Sequence, residues 1–207
     1  MNRSAYLVRF AARCLAWSTA LGIESAGAMD YLAFWTDESE AIVIGRVAKI
    51  TTLPIREEIR RRDDPRKWDD FRPGTVAEVE VSKTLKGEPV EKVYCWAEGS
   101  WGGPPLAVDD QPALMFLDSY NGLHKKEFQY LASDGTARPL LNVSAGDGRG
   151  RMPVVRIGGV DYVKAWHEEH LPSYVRPTNR AAKLSTVVTA IQRRIRLEEE
   201  GQRRRQN

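Results

Sequence analysis

Apolar and polar positions alternate with period two along much of this chain, the spacing at which successive side chains point to opposite faces of a strand. Ala41-Ile-Val-Ile-Gly-Arg-Val-Ala-Lys-Ile50 opens almost wholly apolar and then alternates, which predicts a strand buried on both faces at one end. Gly45 sits inside that run, where glycine marks a bulge or the bend of a small barrel. Thr75-Val-Ala-Glu-Val-Glu-Val81 alternates cleanly, with Ala77, Val79 and Val81 on one face and Glu78 and Glu80 on the other. Leu85-Lys86-Gly87 supplies a turn and Val90 to Trp96 a returning strand, so residues 75–96 read as an antiparallel hairpin. Five shorter runs follow: Ala113–Leu117, Phe128–Leu131, Leu140–Val143, Val154–Ile157 and Val160–Val163. Short strands at such spacing, separated by Gly, Asp, Ser and Asn, predict a barrel or sandwich.

Two segments break the pattern. Between Arg56 and Arg72 stand seven basic and six acidic residues, with Pro65 and Pro73 limiting any regular element. Residues 56–73 therefore read as a charged, solvated loop whose signs nearly cancel. Near the C-terminus, Leu184, Val187, Val188, Ile191 and Ile195 recur at helical spacing, with Ser185 or Thr178 as N-cap. This predicts one amphipathic helix over residues 176–199 that covers the sheet, followed by a disordered basic tail over 200–207 beyond its last turn.

The first 28 residues follow a different logic. Arg3, Arg9 and Arg13 precede the apolar run Cys14 to Ile23, and Glu24-Ser-Ala-Gly-Ala28 places small residues at −3 and −1 of a cleavage position after Ala28. That is the pattern of a secretory signal peptide. The ten-residue run is too short to span a bilayer, which takes about 20 apolar residues. The expectation is a periplasmic or secreted protein without a membrane span after cleavage, its barrel domain occupying residues 29–175.

Composition sharpens this picture. The 207 residues carry 31 Lys+Arg and 28 Asp+Glu, a formal charge of +3, with 42% hydrophobic content. Such a chain can form a real core. Loss of residues 1–28 leaves 179 residues with a formal charge of +1. A nucleic-acid partner is therefore not expected, because such binders concentrate positive charge on one face. Cys14 leaves with the leader, so Cys95 is the single thiol and no intramolecular disulfide is expected. Its alternation with Val93 predicts a small buried hydrophobe.

The order Ser39-Glu-Ala-Ile-Val-Ile-Gly-Arg-Val47, a loop, Thr75 through Leu85-Lys-Gly87, a strand, then Pro112-Ala-Leu-Met-Phe-Leu117 resembles bacterial secreted relatives of the netrin-like module, over residues 36–145. That module is the OB-type barrel shared with tissue inhibitors of metalloproteinases. The resemblance implies a mainly β fold, a small five-stranded Greek-key barrel with additional strands and a C-terminal helix, and binding instead of catalysis. Those inhibitors chelate zinc with an N-terminal cysteine, whereas this chain after Ala28 begins Met29-Asp30. Inhibition by that route is not carried over.

Three constellations are candidates for chemistry. His167-Glu-Glu-His170 could hold a metal with His124 as third ligand, but it lacks the i, i+4 spacing of the zinc-protease helix. Gly99-Ser-Trp-Gly-Gly103 is no nucleophile elbow, since Glu98 stands where the motif requires glycine. As a loop at a barrel end, it brings Trp96 and Trp101 forward as candidate ligand contacts. Gly146 to Gly150 has the composition of a hairpin connection and lacks the Lys-Ser/Thr of a phosphate loop. No cofactor and no catalytic residue is expected. The function read from sequence is an exported, non-catalytic binding module that contacts an envelope protein or glycan. The alternative is a small envelope metalloprotein or hydrolase using His124, His167 and His170.

Overall fold

β-Branched and aromatic residues at alternate positions favour extended backbone, because their side chains pack well on a pleated surface. In the computed structural model, residues 30–52, 59–61, 75–97, 106–119, 128–143, 150–165, 171 and 181–206 are described, with 59–61 described as backbone. They form helix α1 (Tyr31–Glu38), strands β1 (Ala41–Thr52), β2 (Ile59–Arg61), β3 (Thr75–Lys86), β4 (Lys92–Trp96), β5 (Ala113–Asp118), β6 (Phe128–Leu131), β7 (Ala137–Val143), β8 (Arg151–Ile157), β9 (Val160–Lys164) and β10 (Ala181–Lys183), and helix α2 (Leu184–Gln206).

The strands pair in the order β10-β9-β8-β5-β1-β3-β4-β7-β6-β2, and an additional β5–β7 pairing joins the middle of that order into a ring. Leu117 opposite Val143 and Asp118 opposite Asn142 make the closing contact. Within the ring β4 and β7 run parallel, with Tyr94 beside Leu140 and Cys95 beside Leu141, while the other pairs are antiparallel. Numbered among ring members alone, the spatial order is 1-2-3-5-4, the Greek-key order of an OB-like barrel.

One face of every ring strand meets inside. Val43 and Val47, Ala77 and Val79, Val93 and Cys95, Met115 and Leu117, and Leu141 and Val143 form this interior. The alternate residues of β1 and β5, among them Ile42, Ile44, Leu114 and Phe116, face outward into a second cluster with β8, β9 and both helices. β1 and β5 are thus buried on both sides, which explains the nearly unbroken apolar runs at Ala41–Ile44 and Ala113–Leu117. Gly45 is required by close approach: a Cβ there would lie 2.5 Å from the Glu80 carbonyl oxygen, and the β1–β3 register shifts at that point. Gly87 takes φ +89°, which ends β3 in a turn closed to most side chains.

The stripe expected at the C-terminus covers the barrel. Val187 and Ile191 are fully buried, and Leu184, Val188 and Ile195 pack beside them. Burial of each such aliphatic side chain stabilises by about 1.5–3 kcal/mol. α1 lies against α2, with Trp35 1% exposed and ring-packed on Phe116. Asp30 caps α1 by accepting from the Ala33 amide at 3.0 Å. At the other end Lys86 Nζ donates to the carbonyls of Thr36 and Asp37, while Arg194 Nε donates to Asp37 Oδ1 at 2.7 Å. These bonds serve the last carbonyls of α1 and tie it to β3 and α2.

Three expectations are corrected and one helix is added. The charged stretch 56–73 is not wholly a loop, because Ile59–Arg61 forms β2 on β6; ladder bonds are made by backbone and are indifferent to side-chain charge. Helix α2 starts at Leu184 after a short strand, so Ser185 lies in its first turn. It also runs on to Gln206 through the residues expected as a disordered tail. Gly201 costs about 1 kcal/mol in a helix, and good helix formers offset it together with three arginines at the negative end of the helix dipole. Helix α1, only eight residues long, had no periodic signal of its own.

Candidate functional site

Strand register decides which connections emerge together. Thr52 at the end of β1 pairs with Thr75, and the next residue of β3, Val76, pairs with Trp96 at the end of β4. The β1–β3 connection and the segment that follows β4 therefore leave the same end of the ring.

On the outer face at this end, Val76, Tyr94 and Trp96 point away from the interior and meet Phe128 and Tyr130 of β6 in a third cluster. Trp96 is 8% exposed and packs edge-on to Phe128 at 5.8 Å between ring centroids. Tyr94 and Tyr130 stand 5.0 Å apart. Tilted and edge-to-face pairs of this kind add about 0.5–1.5 kcal/mol beyond area burial. Of the two tryptophans picked out from sequence, Trp96 thus gives its ring to packing, and Trp101 lies outside the described residues. β2 pairs with β6 in the register Ile59 to Tyr130, so part of the β1–β3 connection is drawn to the same face as the β5–β7 connection. Sequence reasoning missed this aromatic zipper. Its signal was available: Tyr94-x-Trp96 and Phe128-x-Tyr130 share the two-residue spacing that turns both aromatics of a strand to one face.

Beside the aromatics runs a ladder of charge. Arg46 on β1 donates to Glu80 of β3 at 2.7 Å and to Asp110 at 3.1 Å, and Lys92 of β4 donates to Glu78 at 2.6 Å. The bonds to Glu80 hold the Arg46 guanidinium above its usual range, and the bond to Glu78 does the same for Lys92. Both cations are committed to carboxylates.

Cys95 has no exposed surface, and burial pushes its thiol up to about 12. A thiol held protonated is a poor nucleophile. Its expected role as a small core residue stands. Asn142, across the ring seam from Asp118, keeps its buried Nδ2 without a hydrogen-bond partner among the described residues.

His124, His167 and His170 lie outside the described residues, as do the cleavage position after Ala28 and residues 146–149 of the glycine-rich loop. Gly150 is described, and its carbonyl accepts from the Phe116 amide at 2.9 Å. Among the described residues no group of three His, Cys, Asp or Glu is placed to hold a metal ion. No helix among them is long and apolar enough to cross a membrane. No protein-family model matches this chain, and neither a curated protein nor a solved structure matches it.

Proposed function

We propose that the protein is an exported, non-catalytic binding module of OB-like fold, related to the secreted netrin-like barrels that its sequence resembles. The observation that carries this reading is the convergence of two long connections on the outer face of β3 and β4, brought together by the β2–β6 pairing. Connections at that face make the ligand contacts in OB-type barrels. The segment after Ala97 starts at the same end, and four residues along it stands Trp101, a ring beside glycines of the kind that can stack on a sugar or anchor a peptide. An envelope glycan or protein is the partner this chemistry fits.

The test is Trp101→Ala, read by co-sedimentation with insoluble cell-wall glycan and by capture from a detergent-solubilised envelope extract. Lost binding at an unchanged melting temperature supports the proposal. Binding that survives this substitution, or that is lost only together with the fold, overturns it.

A further inference from the structure

Helix α2 is 23 residues long, or about 34 Å at 1.5 Å per residue. Its hold on the body ends early. Val187 and Ile191 are its buried residues, Arg194 is the donor to Asp37, and Glu198 is the last side chain with an ion pair, to Lys86 at 3.6 Å. From Glu199 to Gln206 every residue except half-buried Gly201 is exposed. Among the described residues, Glu199, Glu200, Arg203, Arg204 and Arg205 form no ion pair. A polar helix end of this length is marginal alone in water.

The exposed end carries an ordered pattern. Leu197, Glu200, Gly201 and Arg204 recur at i, i+3, i+4 and i+7, which places them on one helix face. That face is turned well away from the stripe of Val187, Ile191 and Ile195 that meets the barrel. Leu197 is 44% exposed, and nothing lies within 4 Å of where a Gly201 Cβ would stand. The charges run in blocks, three glutamates at 198–200 and then three arginines at 203–205.

Reversed, this sequence complements itself. We propose that the projecting end of α2 is a homodimerisation element that pairs antiparallel with the same segment of a second copy. The two-fold axis then lies next to Gly201, where the missing side chain lets the backbones approach. Glu200 of each copy faces Arg204 of the other, and Leu197 lies along the partner's arginine stem. Parallel pairing would set like charge against like and is disfavoured. The contact is short, below the size of a stable standard interface, so association is weak and concentration-dependent. It weakens further with salt, because exposed charges are screened beyond about 10 Å at 0.1 M. The proposal is independent of the ligand-binding reading, since it uses none of the same residues.

The experiment is sedimentation velocity of the full chain over a hundredfold concentration range at low and high salt, with Glu200→Arg and Arg204→Glu variants. Both substitutions are on exposed positions, and circular dichroism verifies that each variant folds. The expected result is a wild-type dimer that loses at least tenfold in affinity between low and high salt. Each variant alone is monomeric, and an equimolar mixture of the two recovers a heterodimer. A wild-type chain that stays monomeric at every concentration overturns the proposal. So does a dimer that either single variant leaves intact, which would locate self-association elsewhere.

Discussion

The same barrel is covered on its outside in two different ways. On the side of β1 and β5 the cover is two helices and strands β8 to β10, and fourteen buried residues, mostly aliphatic, meet there. On the side of β3 and β4 the cover among the described residues is strand β6, and six buried residues meet, half of them aromatic. The first cover is a second hydrophobic core, as deep as the barrel interior. The second is a thin sheet-like flap, held by its ladder to β7 and by two ring contacts. Local opening free energy follows buried apolar contact, so the helical cover belongs to the global unfolding unit and the flap to a less stable one.

The largest expected effect lies under the helices. Trp35→Ala removes a ring 1% exposed between Tyr31 and Phe116 and is expected to cost about 3–5 kcal/mol, read as a lower denaturant midpoint. Phe128→Ala, under the flap, is expected to cost about 2–3 kcal/mol, because a strand at the surface can collapse into the space. Hydrogen exchange would show that loss confined to β6 and β2; a loss spread evenly over the barrel would erase the distinction between the covers. The smallest effect needs no substitution. Cys95 lies inside the ring at the β4–β7 seam that the flap overlies, and its thiol should resist alkylation at neutral pH in the native protein. The unfolded chain ionises this thiol from about pH 9, while the fold holds it protonated up to about 12. Alkaline pH therefore favours the unfolded chain, and stability falls as pH rises through that window. If the flap opens by itself, Phe128→Ala speeds alkylation beyond what its loss of global stability accounts for.

The two covers also differ in how far sequence revealed them. The helical side was legible, because Val187, Ile191 and Ile195 keep a 3.6-residue period and Ala41–Ile44 and Ala113–Leu117 are apolar on both faces. Alternation likewise gave the β3–β4 hairpin and the interior position of Cys95. What escaped was whatever side-chain pattern does not encode. β2 is three residues of a charged stretch recruited through its backbone, and β10 is just as short. The parallel β4–β7 pair joins segments about 45 residues apart, and no local period announces a partner at that distance. For the candidate site, sequence singled out Trp96 at a barrel end, but it could not show that β6 would cover that ring, since the pairing Trp96–Phe128 exists only after the barrel closes.

The bond between Asp37 and Arg194 spans 157 residues. Among the described residues, the first helix in chain order is therefore tied down by the last. Trp35 and Leu32 share one buried cluster with Val187 and Ile191 of α2, so this layer is built from contacts long in sequence, which close late in folding. An incomplete chain would expose Trp35, Phe116 and Ile42 together, a surface suited to chaperone capture or to aggregation, and release from either waits on the C-terminal helix.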